Sequence, residues 1–221
     1  MQLNRKEIAA TLEYTRVKAT DSLAEVQKIA AEAVEYGFGA ICVTPFFVEK
    51  AHALLCGSNV ELCTGIGFPI GANIIDTKVQ EMKQVIRRGA DAVDFVINIG
   101  ALKSGMYDVI ECELRALVHE SGNAITKVII ETCYLTNEEI FKVSRMAADI
   151  GVQYIKTSTG MGTRGASLED IRIIKEAVKG KCKIKASAGI RNLAQTLEML
   201  EAGAHRIGTS QAVEIIKEIA E

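Results

Sequence analysis

Hydrophobic residues along the chain follow two periodicities in turn. Short runs rich in β-branched residues, such as Ala40-Ile41-Cys42-Val43, alternate with longer segments whose apolar positions recur every three or four residues. The clearest long segment begins after Asp21-Ser22 and ends at Gly37, which predicts an amphipathic helix with a capped start and a glycine stop. The predicted strands lie at 11–15, 40–43, 60–67, 92–99, 125–131, within 151–160, and at 183–186 and 205–207. The predicted helices cover 6–10, 23–36, 45–55, 77–88, 103–120, 137–149, 168–178, 193–202 and 211–220.

This order predicts parallel strands joined by right-handed helical crossovers. Seven strand–helix units are clear, and the weaker run near Leu12 supplies an eighth strand. Eight strands close a barrel, whereas an open doubly wound sheet, the alternative architecture, usually has fewer strands in a chain of this length. We therefore predict an α/β fold, a single (β/α)8 TIM barrel over residues 1–221, with a short N-terminal helical segment.

Composition and charge narrow the range of partners. A formal charge of -2 and a pI near 6.0 give no electrostatic case for binding nucleic acid or an anionic membrane, which leaves a neutral small molecule or a protein as the partner. The first residues lack the apolar core of a signal peptide, and no apolar run reaches about 18 residues. We therefore expect a soluble, cytoplasmic protein, and a homo-oligomer, because soluble barrels often form dimers.

Six cysteines are scattered without a CxxC pair, and three histidines are equally dispersed. No local zinc signature exists, and we predict no metal ion. The thiols are expected to be reduced and mostly buried.

Lys156 is the first candidate for chemistry. It shares one strand face with Tyr154 and Ser158, and Thr159 and Gly160 follow at once, where the backbone can turn close to a ligand. A lysine held in a confined site loses hydration, which favours a neutral amine able to attack a carbonyl and form a Schiff base. The alternative is a strand-end lysine whose stem packs while its ammonium reaches water.

Asp94 and Lys185 are the next candidates. In residues 92–99 one face is apolar, which leaves Asp94 on the other face, pointing into the barrel, where a carboxylate needs a cationic partner. Lys185 lies near the carboxyl end of its strand, and a second cation beside Lys156 favours the amine form. With a water molecule, Asp94 is then placed to move protons. A purely structural ion pair is the alternative.

The later loops favour a phosphate site. Small residues precede two late helices at 187–191 and 208–210, and such loops follow strands seven and eight, where barrels often bind phosphate. Tight turns between helices and strands explain each loop separately, and this alternative stays open.

Cys42 lies at a strand end. We expect it to form part of the pocket wall rather than to act as a nucleophile. The predicted substrate-binding residues are Cys42, Thr15, Thr159, Gly160, Ser187, Gly189, Arg191, Gly208 and Ser210.

Seven segments together resemble the deoxyribose-phosphate aldolase family. They are 42–45 (CVTP), 66–73 (IGFPIGAN), 96–105 (VINIGALKSG), 128–133 (VIIETC), 154–160 (YIKTSTG), 184–187 (IKAS) and 206–210 (RIGTS), in order over nearly the whole chain. The resemblance implies a metal-free class I aldolase that needs no cofactor. It implies reversible cleavage of 2-deoxy-D-ribose 5-phosphate to acetaldehyde and D-glyceraldehyde 3-phosphate.

The same resemblance assigns roles by position. Lys156 matches the Schiff-base lysine, Lys185 the second lysine, and Asp94 the aspartate of the proton relay. It places Gly160, Gly189, Arg191 and Ser210 around the phosphate.

Four departures bear on substrate preference. Glu13-Tyr14-Thr15 stands where the family usually has Asp, then His or Leu, then Thr. Ala188 stands where Gly is common, Met161 replaces a Lys of some members, and the sequence ends at Glu221 without the C-terminal Tyr of some members.

Two alternatives to deoxyribose-phosphate aldolase activity remain. They are a related Schiff-base aldolase for another sugar phosphate and a catalytically silent barrel that binds sugar phosphates.

Overall fold

The structure is a computed structural model that describes residues 3–219. Its strands are β1 Leu12–Arg16, β2 Ala40–Val43, β3 Glu61–Ile66, β4 Ala92–Val96, β5 Ile125–Ile129, β6 Tyr154–Lys156, β7 Lys183–Ser187 and β8 Arg206–Thr209. Its helices are α1 Arg5–Thr11, α2 Leu23–Tyr36, α3 Val48–Leu55, α4 Ile75–Arg87, α5 Ile99–Lys103, α6 Tyr107–Glu120, α7 Asn137–Ile150, α8 Leu168–Val178, α9 Leu193–Ala202 and α10 Ala212–Lys217. Short 3-10 turns span Pro45–Phe47 and Thr132–Tyr134.

The eight strands form a closed parallel barrel. Each strand pairs with the next in sequence, and β8 pairs with β1 with Gly208 opposite Glu13. This last pairing closes the sheet formed by the described strands and rules out the open doubly wound sheet. The predicted (β/α)8 barrel is confirmed, with α1 as the predicted N-terminal helical segment.

Four predicted boundaries need correction. The strand predicted over 92–99 ends at Val96, because the Asn98 side chain accepts a hydrogen bond from Ala101 N–H and starts α5. The helix predicted over 103–120 is interrupted near Gly105, whose φ of 72° lies in the left-handed region. The helix predicted from residue 45 begins with a 3-10 turn, and the last helix ends at Lys217, two residues before the end of the described chain.

Alternation along the strands separates two environments. On β4, Val93 and Phe95 are fully buried between the barrel and the helices, and each contributes about 1.5–3 kcal/mol by burial. Asp94 between them points the other way, into the barrel. The packing of helices onto strands therefore determines which side chains fill the interior.

The cysteines are less buried than expected. Cys42, Cys63 and Cys182 are buried, whereas Cys56 and Cys112 are exposed and Cys133 is partly exposed. The prediction of mostly buried thiols is therefore wrong for half of them, because Cys56 and Cys112 lie on the outer surface of the helical layer.

Within residues 3–219, no helix combines the length and the apolar character needed to cross a bilayer.

A buried ion pair outside the barrel supports the carboxyl end of β4. Lys78 of α4 and Glu113 of α6 bind each other, with side chains 0% and 1% exposed. Lys78 Nζ also donates to the Val96 carbonyl at 2.7 Å, and Glu113 accepts from the Asn98 N–H at 2.9 Å. Burial lowers the pKa of Lys78 and raises the pKa of Glu113, and each partner opposes the effect on the other.

We expect Glu113→Ala to lower the free energy of unfolding by about 3–5 kcal/mol, because it leaves the Lys78 ammonium buried without a carboxylate. Urea unfolding measures the change. The control is Glu120→Ala, which removes a partly exposed partner of Lys83 and should change stability little. Equal losses in the two variants would contradict a special role for the buried pair.

Candidate active site

Three predicted residues meet inside the barrel near the carboxyl ends of the strands. Lys156 ends β6, Asp94 lies on β4 and Lys185 lies on β7. Lys156 Nζ is 2.6 Å from Asp94 Oδ2, and Lys185 Nζ is 2.7 Å from the same oxygen. Both lysines therefore share a single carboxylate oxygen.

Strand register explains this convergence. Lys156 pairs with Lys185 across β6 and β7, and Asp94 pairs with Lys127 across β4 and β5. Residues at matching register on neighbouring parallel strands point to the same side of the sheet. The register thus places four ionisable side chains on the inner surface of the barrel.

The charged cluster continues toward the amino ends of the strands. Glu13 binds Lys185 through Oε2, and its Oε1 lies 3.0 Å from Lys127 Nζ. Lys127 also binds Glu61 at 2.8 Å, and Arg206 lies 3.3 Å from the second oxygen of Glu61. Positive and negative side chains alternate along this path, so buried charges are paired.

Sequence reasoning noted Glu13 only as a departure from the family and missed Lys127. The available signal was a lysine inside the apolar run 125–131, on the face opposite Val128. A lysine on the inward face of a barrel strand needs a buried carboxylate, and Glu13 supplies it.

The cluster fixes the charge of its members. Burial by itself raises the pKa of Asp94, but the ammonium groups of Lys156 and Lys185 outweigh burial and hold that pKa well below its usual range. Burial also raises the pKa of Glu13, and Lys127 and Lys185 reverse this effect and lower it to about 2. Burial lowers the pKa of Lys185, yet Asp94 and Glu13 raise it well above its usual value. At neutral pH, Asp94 and Glu13 are carboxylates and Lys185 is an ammonium.

A cavity of about 330 Å³ lies at the same rim, between the loops after β1, β6, β7 and β8. Every predicted substrate-binding residue except Cys42 lines it: Thr15, Thr159, Gly160, Ser187, Gly189, Arg191, Gly208 and Ser210. Cys42 is 2% exposed and packs against Cys63 and Ala92, so it lies below the cavity rather than in its wall.

The cavity has a positive lining that sequence reasoning found only in part. Arg16 and Lys18 join Arg191 in the lining, and Asp21 is the single carboxylate among the described residues that line the cavity. Asp21 accepts a hydrogen bond from the Lys18 N–H at 2.7 Å. Cationic residues outnumber carboxylates among the residues that line the cavity, which suits it to an anionic ligand.

Two close approaches shape the cavity loops. A Cβ on Gly208 would lie 2.4 Å from Ser187 Oγ, so β7 and β8 can approach here only with glycine. Ala188 has a φ of 69°, a left-handed conformation that glycine adopts without strain. The alanine therefore keeps the loop conformation that a glycine would favour.

Glu131 anchors the loop that follows Lys156. Its side chain is buried at the end of the β5 run, where its own φ is 50°. Its carboxylate accepts hydrogen bonds from both the N–H and the hydroxyl of Thr159, the N–H at 3.1 Å. Thr159 Oγ1 in turn accepts from the Met161 N–H at 3.0 Å. Sequence reasoning treated Glu131 only as a strand end, because nothing local reveals its partner.

We expect Glu131→Ala to speed hydrogen exchange at the amide of Thr159 by about 10- to 100-fold, because the variant removes hydrogen bonds that hold a buried donor. Mass spectrometry of peptides covering 157–163 measures the rate. The control is Glu138→Ala, at an exposed position on α7. Unchanged exchange in Glu131→Ala would show that other contacts hold this loop.

Enzymes with a closed (β/α)8 barrel have their active sites at the carboxyl ends of the strands. The ionisable side chains and the cavity of this protein lie at that end. The sequence profile of the DeoC/LacD family aldolases matches residues 7–213. The chain belongs to this family.

Individual relatives agree with this assignment. The deoxyribose-phosphate aldolase of Thermoanaerobacter sp. (strain X514) is 42% identical over 214 residues, which cover 96% of each chain. That of Aciduliprofundum boonei is 43% identical over 218 residues, 97% of this chain and 98% of the relative. The tetrameric deoxyribose phosphate aldolase of Aeropyrum pernix superposes with a TM-score of 0.91 at 27% identity, covering 97% of this chain and 92% of that one.

Proposed function

We propose that this aldolase reversibly cleaves 2-deoxy-D-ribose 5-phosphate into acetaldehyde and D-glyceraldehyde 3-phosphate through a Schiff base on Lys156. The observation that carries the proposal is the contact of Lys156 with Asp94 and Lys185 beside a cationic cavity. The relatives named above carry the same activity in their names. No cofactor is needed, because the lysine itself activates the carbonyl.

Contacts and exposure favour Lys156 as the nucleophile among the three interior lysines. Lys156 contacts one carboxylate and its side chain is 4% exposed. Lys185 and Lys127 each contact two carboxylates, and their side chains are completely buried. Lys156 thus has the fewest ionic contacts of the three and is the one whose side chain is partly exposed, which places it best to reach a substrate.

The proposed chemistry begins when the Lys156 amine attacks C1 of the open-chain sugar. Loss of water gives an iminium, which accepts the electron pair released when the C2–C3 bond breaks. The C3 hydroxyl loses its proton, D-glyceraldehyde 3-phosphate leaves, and an enamine of acetaldehyde remains on Lys156. Protonation at C2 and hydrolysis then release acetaldehyde and restore the amine.

Asp94 and Lys185 have separate proposed roles. Asp94, held as a carboxylate, exchanges protons with the intermediates through a water molecule. Lys185 remains an ammonium and fixes Asp94 Oδ2 at 2.7 Å. Glu13, at the position where the family usually has Asp, holds Lys185 from the other side.

The cationic cavity is the proposed phosphate site. We expect Ser210→Asp to raise KM for 2-deoxy-D-ribose 5-phosphate by about 10-fold or more, because the added carboxylate repels the phosphate. Kinetics with unphosphorylated 2-deoxy-D-ribose are the control and should not change. An equal increase in KM for both sugars would place the phosphate elsewhere.

A substrate panel separates the remaining functions. Ala188 adds a methyl group at the cavity, which keeps a related Schiff-base aldolase for another sugar phosphate under consideration. Much faster turnover of a ketose phosphate than of deoxyribose 5-phosphate would favour the aldolase for another sugar phosphate. Binding of sugar phosphates without any turnover would favour the catalytically silent barrel.

We further propose a cytoplasmic location and a homo-oligomeric state. All six cysteines are free thiols, which suits a reducing compartment, and a structural relative is tetrameric. Light scattering during size-exclusion chromatography tests the assembly, and a monomer would contradict it.

A further inference from the structure

Two cysteines and the central aspartate form a compact buried group. Cys42 on β2 pairs in register with Cys63 on β3, and Asp94 follows on β4. Their ligand atoms, two Sγ atoms and one carboxylate oxygen, all lie within 4.8 Å of one another. The three residues are 2%, 0% and 0% exposed. The group lies on three different strands, which explains why sequence spacing revealed no metal signature.

The two oxygens of Asp94 are divided between two sets of partners. Oδ2 binds both lysines, Lys156 and Lys185. Oδ1 accepts a hydrogen bond from the Cys63 thiol at 3.1 Å. An ion on the sulfur side can therefore bind Oδ1 while both lysine contacts to Oδ2 stay in place.

We propose that Cys42, Cys63 and Asp94 form an inhibitory site for a thiophilic divalent cation such as Zn²⁺. Two thiolates and one carboxylate oxygen provide three of the four ligands of a tetrahedral zinc site, and the fourth position stays open. Soft sulfur ligands favour zinc or cadmium over magnesium or calcium, which prefer oxygen ligands only.

The charge balance of the cluster permits this ion. Binding converts two thiols and one Zn²⁺ into a zinc dithiolate and releases two protons, so the total charge of the site does not change. The net charge beside Lys156 and Lys185, which is that of the two cysteines, Asp94 and any bound ion, is therefore the same before and after binding. The cation takes the place now held by the thiol proton between Cys63 and Asp94.

Inhibition follows from the position of Asp94. A cation on Oδ1 withdraws electron density from the carboxylate and weakens its ability to accept a proton from water. This consequence rests on the proposed function, whereas binding of the metal does not. The two parts therefore need separate measurements.

The binding test uses the full chain, reduced and metal-free, with Cys56→Ser and Cys112→Ser introduced to remove the exposed thiols. Titration with Cd²⁺ should produce a thiolate-to-metal charge-transfer band that saturates at one equivalent, and Zn²⁺ should abolish it by competition. Cys63→Ser should weaken Cd²⁺ binding at least about 10-fold, because a hydroxyl is a poor ligand for soft metals. Cys182→Ser, at a buried thiol on the far side of the barrel wall, is the matched control and should retain the band.

The activity test measures aldolase turnover with Zn²⁺ and after addition of a chelator. Zn²⁺ should inhibit the parent protein reversibly. Half-inhibition of Cys63→Ser should require at least about 10-fold more Zn²⁺ than half-inhibition of the parent. The rate of each protein is compared with its own metal-free rate. Circular dichroism shows whether each variant folds, and Cys63→Ala replaces Cys63→Ser if the hydroxyl prevents folding.

Three results would overturn the proposal: no charge-transfer band, an unchanged band in the Cys63 variant, or full activity with the metal bound. A protein that binds Cd²⁺ at this site but never turns over deoxyribose 5-phosphate would instead contradict the proposed function. The two failures are thus distinguishable.

Discussion

Lys156→Met is expected to lower kcat/KM for 2-deoxy-D-ribose 5-phosphate by about 10⁴-fold or more, because it removes the only group proposed to form the covalent intermediate. The methionine keeps most of the side-chain volume, and Lys185 keeps its contacts with Asp94 and Glu13. Loss of activity with retained folding would then report the missing amine. Steady-state kinetics and circular dichroism provide both measurements.

Borohydride trapping identifies the lysine directly. Incubation with acetaldehyde and borohydride should add one ethyl group to the protein, and peptide mapping should place it on Lys156. The control is Lys183→Met, an exposed lysine at the start of β7, which should retain both trapping and activity. An adduct on Lys185 instead of Lys156 would reverse the proposed roles. Absence of an adduct with both acetaldehyde and deoxyribose 5-phosphate would exclude the Schiff-base mechanism.

The sequence predicts the inward direction of Lys156, Asp94 and Lys185 because strand alternation is a local property. Each lies opposite an apolar face that packs on helices, so its direction follows from neighbours one residue away. The order of strands and helices then predicts that their carboxyl ends meet at one rim. Only the register across strands, which the structure supplies, brings both lysines to one oxygen of Asp94.

Features that depend on distant partners were not predictable. Glu131 binds Thr159 across 28 positions of sequence, and Glu13 binds Lys185 across 172. No periodicity links such residues. Arg16 and Lys18 were missed for a different reason: the first strand is weakly patterned, and the family resemblance points only to Thr15 in this region.

The end of β4 shows how a single side chain overrides an apolar pattern. Ile97 and Ile99 continue the alternation of the strand, which predicts residues 92–99 as β-structure. The Asn98 side chain caps α5 instead, and its N–H is held by Glu113. Because the strand ends at Val96, two residues after Asp94, Asp94 lies close to the rim rather than deep in the barrel.

Asp94→Asn is expected to slow proton transfer at C2 of the bound intermediate by about 10²- to 10⁴-fold, the usual contribution of a positioned acid or base. Asparagine keeps the shape of the side chain but cannot accept a proton as the carboxylate does. Incorporation of deuterium from heavy water into the methyl group of acetaldehyde, followed by NMR, measures this step without the need for cleavage of the sugar.

The same variant should also destabilise the fold, because two ammonium groups then lack their shared carboxylate oxygen. Glu113→Ala separates the two effects, since it removes a buried carboxylate that contacts Lys78 and lies outside the barrel. Glu113→Ala should exchange deuterium at nearly the normal rate per folded molecule, whereas Asp94→Asn should not. Normal exchange in folded Asp94→Asn would show that another group moves the proton, and Asp94 would then serve only to pair the lysines.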